Sequence, residues 1–321
     1  MNDSVCGVVV TYNRKEYLEK LLMALKAQTH PLKGVLIFDN DSTDGTAEML
    51  LKSDFCKGVE SGILHQNDMN STTYYYFRNK ANSGGSGGFH DAIEIASKLG
   101  YDYIWTMDDD VLPEQNCLEE LLKYMSKETR VCIPSRTDKE FLDYAITNIN
   151  MSNPFLYHIT SRKTRVKSTD IKEKWMEVKD MPFEGPLFDV SIIKEVGLPK
   201  AEFFIIFDDT EYALRMSKKT KLYFIPGAVL HKQIIPVTKN HGKMGWKEFY
   251  GYRNQFWFDR TYGENILVKY FRPIFLAIEL SLKAIIKRKW INLKVIFLAY
   301  RDGVQGKLGK QVEPGREFQY K

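Results

Sequence analysis

Cysteine is scarce: the 321 residues contain four, Cys6, Cys56, Cys117 and Cys132, and no two stand close enough for a paired-cysteine metal or redox motif. Such isolated thiols suit a reducing cytoplasm. No stretch approaches the roughly 20 consecutive apolar residues of a membrane-crossing helix. A soluble or peripherally bound protein is therefore expected. The opening MNDSVCGVVVTYN lacks a basic segment followed by a long apolar one, so no secretory signal is expected either. With 11 Pro and 21 Gly, and 44% hydrophobic residues, the composition is neither disordered nor fibrous, and no internal repeat is present.

Charge is present but unevenly placed. The whole chain carries +5, yet residues 1–231 sum to −6 and residues 232–321 to +11. A basic end of this kind points to an anionic partner: a nucleic acid, an anionic lipid or a phosphate-bearing substrate.

The first hundred residues alternate between two periods. Val5 to Thr11 and Gly34 to Asp39 are short apolar runs of the kind that form strands buried on both faces, and Leu18, Leu21, Leu22 and Leu25 form a helical stripe between them. Thr46 to Leu51 starts another helix, Tyr74 to Arg78 reads as a strand, Asn82 to Gly88 as a loop, Phe89 to Leu99 as a helix and Tyr101 to Met107 as a strand. Alternating strands and helices predict an α/β fold with a mostly parallel sheet, whose ligands lie beyond the C-terminal strand ends. Residues 130–200 show no clear period. Leu222 to Leu230 reads as a strand ending at His231, and Leu267, Phe271, Ile274, Ile278, Leu282 and Ile285 form a helical stripe that begins or kinks near Pro273.

Three consecutive acids, Asp108, Asp109 and Asp110, follow the fourth strand. In extended backbone, Asp108 and Asp110 face one side and Asp109 the other, so the outer pair suits a divalent cation; a solvated acidic turn is the alternative. A second acidic group, Asp208, Asp209 and Glu211, suits either a helix start or a catalytic base. The glycines at 84, 85, 87 and 88 permit close backbone approach to a ligand, and a flexible surface loop explains them equally well.

Four segments occur in a fixed order: Val8-Val-Val-Thr-Tyr-Asn-Arg14, Ile37-Phe-Asp-Asn-Asp-Ser-Thr-Asp-Gly45, Asn82-Ser-Gly-Gly-Ser-Gly-Gly88 and Trp105-Thr-Met-Asp-Asp-Asp-Val-Leu-Pro113. Together they resemble the inverting family-two glycosyltransferases of the GT-A fold. Further on, Phe207-Asp-Asp-Thr-Glu-Tyr212 resembles the family's catalytic-base motif, and Gly227-Ala-Val-Leu-His231 its metal-binding histidine. Tyr250-Gly-Tyr-Arg-Asn254 and Tyr300-Arg-Asp-Gly303 resemble tail motifs of its polysaccharide-building branch. The glycine-rich segment and the MDDDV sequence look most like the galactofuranosyltransferase and rhamnosyltransferase subgroup.

The resemblance implies a GT-A catalytic domain over 1–235, with a nucleotide-sugar half to about 115 and an acceptor half beyond it, and a basic, largely helical extension over 236–321. It implies Asp209 as the general base with Asp208 beside it, orienting it or holding the acceptor, and Glu184 as a further acceptor-site carboxylate. It also implies a donor site made by Thr11, Asn13, Arg14, Asp39, Asn82, Gly84, Gly85, Ser86, Asp108 and Asp109, and a metal held by Asp108, Asp110 and His231. Carboxylates plus one imidazole suit Mn(II) or Mg(II). The implied donor is UDP-galactofuranose, then deoxythymidine-diphosphate rhamnose, and the acceptor a cell-surface polysaccharide or lipid-linked glycan.

Two other classes compete. A nucleotidyltransferase would carry a glycine-rich basic signature after the first strand, which TYNRKEYLEK lacks, and a non-catalytic nucleotide-sugar-binding module needs no base. In the tail, Lys283, Lys287, Arg288, Lys289 and Trp290 beside the apolar stripe suit either a helix lying on the anionic inner face of a cell membrane or an ordinary packed helix with a solvated basic face. No nucleic-acid-binding motif is present, so none is expected as a partner.

Overall fold

The computed structural model describes residues 3–69, 71–136, 141–234, 243–315 and 318–320. Strand β1 (Val5–Thr11), helix α1 (Lys15–Lys26) and strand β2 (Gly34–Asp39) open the chain, and both strands are buried throughout. Their β-branched residues serve two layers: Val5 and Val9 pack into one core, Cys6, Val8 and Val10 into the other. The leucine stripe of α1 is fully covered by the first layer, each side chain contributing about 1.5–3 kcal/mol of burial.

There follow α2 (Thr46–Lys52), β3 (Leu64–Met69), β4 (Thr72–Arg78), α3 (Gly84–Ser97), β5 (Tyr103–Asp108), β6 (Val111–Pro113), α4 (Cys117–Leu122) and β7 (Thr129–Ser135). Parallel ladders join β4, β2, β1 and β5, with Thr11 opposite Asp39 and Val10 opposite Asp108. The loops after β1, β2 and β5 therefore open at one edge of the sheet, as expected of parallel strands.

The stretch without a clear period contains β8 (Tyr144–Ile149), α5 (Ile159–Arg162), β9 (Lys163–Lys167), β10 (Met176–Val178), β11 (Leu187–Asp189) and α6 (Ser191–Val196). Then come α7 (Asp208–Met216), β12 (Lys221–Lys232), α8 (Trp246–Tyr262), α9 (Arg272–Ile286) and α10 (Trp290–Gln305). Across the large sheet the order is β10-β12-β7-β11-β5-β1-β2-β4-β3, with β6 on β12, and β8 pairs with β9 separately. The sheet is parallel in the first half but mixed overall, because three-residue β11 enters antiparallel between β5 and β7, and β3, β6 and β10 also pair antiparallel.

Two features differ from the sequence reading. The Asn82–Gly88 segment is not a loop throughout: α3 begins at Gly84, because Asn82 Oδ1 accepts the Gly84 N–H and Asn40 Nδ2 donates to the Gly84 carbonyl. Strand β3 was not legible, since five of its six residues carry partly or fully exposed side chains at the sheet edge.

The expected domain boundary at 235/236 lies outside the described residues. Beyond it α8 carries a buried polar face. Asp259 receives Arg162 of α5 and Arg272 of α9, tying three helices through one carboxylate. A π turn over Leu267–Phe271 leads into α9, with Pro273 in its first turn, where a missing N–H costs nothing.

Candidate active site

The acidic cluster forms where β5 ends. Extended backbone stops at Asp108, and Asp109 and Asp110 lie in a turn, so the expected alternation of the three side chains does not continue. Arg14 reaches both, Nη1 to Asp109 Oδ1 at 3.0 Å and to Asp110 Oδ2 at 2.9 Å. Thr11 Oγ1 donates to Asp109 Oδ2 at 2.7 Å, and the Tyr12 N–H to the same oxygen at 3.3 Å. Asp109 thus binds the β1 loop to the cluster instead of pointing away from it. Burial pushes its carboxyl up to about 6, with Arg14 and Thr11 opposing. Asp108 is raised well above the usual carboxylate range, by burial first and then by the negative charges of Glu184, Asp110 and Asp109.

Glu184 belongs to this cluster. Its Oε1 is 2.8 Å from Lys232 Nζ and its Oε2 is 2.9 Å from Arg136 Nη1. Burial would raise its pKa, but the two cations outweigh that and lower it. Arg136 also reaches Asp143 Oδ1 at 2.8 Å, and so connects the acidic cluster to the neighbouring cavity.

His231 does not join Asp108 and Asp110. In β12 it lies opposite Leu112, with Nε2 3.0 Å from Glu114 Oε1, and both side chains are exposed. Alternation places the next residue on the other face. There Lys232, 7% exposed, stands 3.7 Å from Asp110 Oδ1 and on Glu184. Among the described residues, the three-ligand clusters with metal-binding spacing reduce to His90, Asp91 and Glu94 on α3. The carboxylate part of the expected metal site does fit a divalent ion: Asp110 Oδ1 is buried without a hydrogen-bond partner, and Asp108 is held in an environment that disfavours its charge. Sequence reasoning missed Lys232, whose signal was its position one residue from a histidine at a strand end.

The remaining residues expected from the sequence to bind the donor separate into two groups. Asp39 is fully buried, Oδ1 accepting the Ser42 N–H at 2.7 Å and Oδ2 the Tyr76 hydroxyl at 2.8 Å. It supports the loop after β2 and offers no accessible oxygen to a nucleoside, contrary to the sequence expectation. Asn13, at φ 53°, likewise fastens the β1 loop to that loop, accepting the Thr43 N–H and donating its own N–H to Ser42 Oγ. Gly85 is open, with no heavy atom within 4 Å of where a Cβ would stand, whereas a Cβ on Gly84 would lie 2.1 Å from the Phe204 carbonyl oxygen. Gly84 also sits at φ +78°, so the start of α3 is pressed against the segment leading to α7. The Ser86 N–H donates to that same Phe204 oxygen at 3.0 Å, and the buried Ser86 hydroxyl faces Asp208 without reaching hydrogen-bond geometry.

That segment is strained. Phe204, Ile206 and Phe207 all have positive φ, at 66°, 65° and 78°, a conformation costing roughly 1–3 kcal/mol for each non-glycine residue. It is maintained by α8. Asn254 Nδ2 donates to the carbonyls of Phe203, Ile205 and Ile206, and Arg253 Nη2 to those of Glu202 and Phe203. The Tyr250–Asn254 motif thus works as the support of the acidic helix start, a role its sequence alone does not disclose.

The strained segment delivers Asp208 and Asp209 to the first turn of α7. Asp209 lines a cavity of about 270 Å³ with Arg136, Asp143, Lys163, Arg165 and Asp180. Burial pushes its carboxyl up to about 7, with Asp208 and Asp180 adding to the shift and Lys163 opposing it. Asp208 is raised by burial to about 6. Lys163 ion-pairs with Asp180 and donates to Thr210 Oγ1 at 3.2 Å, so a single cation anchors this wall. A carboxylate that titrates near neutrality beside an open cavity has the character of a general base.

Comparison with known proteins bears on the family and the fold. The sequence profile described as glycosyl transferase family 2 matches residues 6–179. Galactofuranosyltransferase GlfT1 of Mycolicibacterium smegmatis is 25% identical over 217 residues, covering 66% of this chain and 65% of that protein. The chain thus spans slightly less than two thirds of that relative's length. In three dimensions, the mannosyltransferase PcManGT from Pyrobaculum calidifontis, solved with GDP-Man and Mn2+, superposes with a TM-score of 0.56 at 15% identity, over 94% of this chain and 87% of that one. GalNAc-T7, solved with UDP, GalNAc and Mn2+, gives 0.56 at 14% identity, over 84% and 53%. The architecture is that of the GT-A glycosyltransferases. From the matched profile, which covers more than half of its length, the chain belongs to glycosyl transferase family 2.

Proposed function

We propose that the protein is an inverting glycosyltransferase that moves galactofuranose from UDP-galactofuranose to a hydroxyl of a cell-surface or lipid-linked glycan on the cytoplasmic side. The observation that carries this reading is Asp209, raised toward neutrality with Asp208 beside it and lining the 270 Å³ cavity that Arg136 links through Glu184 to the Asp108–Asp110 cluster. The similarity to a galactofuranosyltransferase supports the choice of sugar.

The reaction divides among these residues. An acceptor hydroxyl in the cavity gives its proton to the Asp209 carboxylate as its oxygen bonds to the anomeric carbon. The bond from that carbon to the diphosphate breaks, and its electron pair leaves with the nucleotide. Asp208 keeps Asp209 basic, because two adjacent carboxylates resist being charged together. Arg14 and Lys232 place positive charge beside the acidic cluster, where the diphosphate's negative charge develops. Asp108 and Asp110 would hold Mn(II) or Mg(II), which when bound supplies further neutralisation of the leaving group. For His231 to serve as a third ligand, it would have to leave Glu114 and turn to the opposite face of β12.

Calorimetric titration with UDP, with and without Mn(II), tests the donor half of this reading. Metal-dependent binding that is abolished in Asp108→Ala and Asp110→Ala supports it. Binding of deoxythymidine diphosphate but not UDP moves the donor to a rhamnose nucleotide, and failure of both nucleotides to bind overturns the reading.

A further inference from the structure

Helix α9 is apolar on two opposite sides. Leu276, Leu280 and Ala284 are buried, packed with residues of α8 and α10 in one hydrophobic cluster. At 100° per residue Ile274, Ile278, Leu282 and Ile285 point the other way, and Leu267 and Phe271 of the preceding π turn extend the apolar stripe. All six are exposed, Ile278 to 51% and Leu282 to 54%, and Ile286 at 79% and Trp290 at 65% continue the apolar surface past the helix end. Large contiguous patches of this kind are unusual on a soluble domain and mark a binding surface.

The charges around the patch have one sign. Glu279 is the single acid between Leu267 and Ile291. It is already satisfied by His158, at 2.9 Å, and by Lys283. Where α9 gives way to α10, Lys243, Lys283, Lys287 and Lys289 line a cavity of about 320 Å³, with Glu248 as its one acidic wall residue. Lys283 is paired with Glu279, and the ammonium groups of Lys243, Lys287 and Lys289 around one cleft repel one another unless an anion enters. The patch cannot be a buried span: α9 has 15 residues, about 22 Å of helix against the roughly 30 Å of a bilayer core, and among the described residues no helix is long and apolar enough to cross.

We infer that this face lies in the plane of an anionic membrane, with the Leu267–Ile285 stripe at the acyl boundary and the lysine cleft receiving a phospholipid phosphate. One side of α9 then serves the fold and the other the lipid. An apolar stripe edged by lysine is the combination that interfacial helices use, whereas a protein partner would be met by a rim of mixed sign. The inference does not depend on the sugar-transfer reading.

The test is co-sedimentation of the full chain with phosphatidylcholine vesicles, with and without about one third phosphatidylglycerol. The full chain pellets with the anionic vesicles only. Ile278→Glu/Leu282→Glu and Lys287→Glu/Lys289→Glu each lower the partition coefficient by about tenfold or more, and high salt acts mainly through the lysines. Ile278, Leu282 and Lys287 are exposed and Lys289 is half-buried at the surface, so circular dichroism and melting should be little changed; Ile278→Ser/Leu282→Ser is a milder pair if the acidic one alters either. Equal pelleting of wild type and both variants, or none by wild type, overturns the inference. So does a dimer in sedimentation velocity that Ile278→Glu dissociates, since a second copy would then cover the stripe.

Discussion

Asn254 Nδ2 lies 2.8 Å from the carbonyl oxygen of Ile206, a β-branched residue at φ +65°. One amide on α8 thereby holds the backbone that presents Asp208 and Asp209, although it sits some forty-five residues further along the chain. Strain of this kind persists only where the surroundings over-determine it.

Replacing Asn254 by Ala removes one donor group from three carbonyls at a cost of about 1–3 kcal/mol in stability. The larger expected effect is on turnover, a fall of roughly 10- to 100-fold, because small displacements of a base are expensive. The Michaelis constant for the donor should hardly change, since the residues proposed to hold the donor lie on other loops. Steady-state kinetics separates the two: an unchanged kcat in Asn254→Ala would remove Asn254 as a positioning residue.

The titration of Asp208 and Asp209 sets the pH profile. Their carboxyls are raised in the folded protein to about 6 and about 7, so the base is charged only as pH climbs through that range. The rate of transfer should rise with pH and level off above about 7, with apparent values belonging to the pair. Stability runs in the opposite sense. The folded state holds these protons more tightly than the unfolded one, so their contribution is fully present below about 4 and is lost as pH rises through about 7. A rate profile flat from pH 5 to 8 contradicts the assignment.

The two faces of the end of β12 make separate predictions. His231→Ala removes an exposed contact with Glu114 and should leave metal-dependent UDP affinity within about threefold. Asp110→Ala should abolish it, and Lys232→Met should weaken it by about tenfold through loss of a buried positive charge. Calorimetry on the three variants decides the matter; loss of metal-dependent binding in His231→Ala restores the histidine as ligand.

Much of the first 115 residues was legible because their strands are mostly buried on both faces and their helices amphipathic. Val5–Thr11 and Gly34–Asp39 match the structure to the residue. Asp209 was singled out through its motif, and the structure places it on the wall of a cavity. What stayed hidden depends on tertiary context. The start of α3 at Gly84 contradicts glycine propensity, and is set by Asn40 and Asn82 hydrogen bonds that no local pattern announces. Asp39 looked available but is consumed by Ser42 and Tyr76. Lys232 and Glu184 are 48 residues apart, and only the folded sheet brings them to the acidic cluster.

The central claim is that Asp209 takes the acceptor proton. The most direct test is release of UDP from UDP-galactofuranose in the presence of glycan acceptors, comparing the wild-type protein with Asp209→Asn alongside UDP affinity measured by calorimetry. The account predicts a fall in release of about a thousandfold or more, with UDP affinity within about threefold of wild type. Release within about tenfold of wild type by a properly folded Asp209→Asn protein would contradict it.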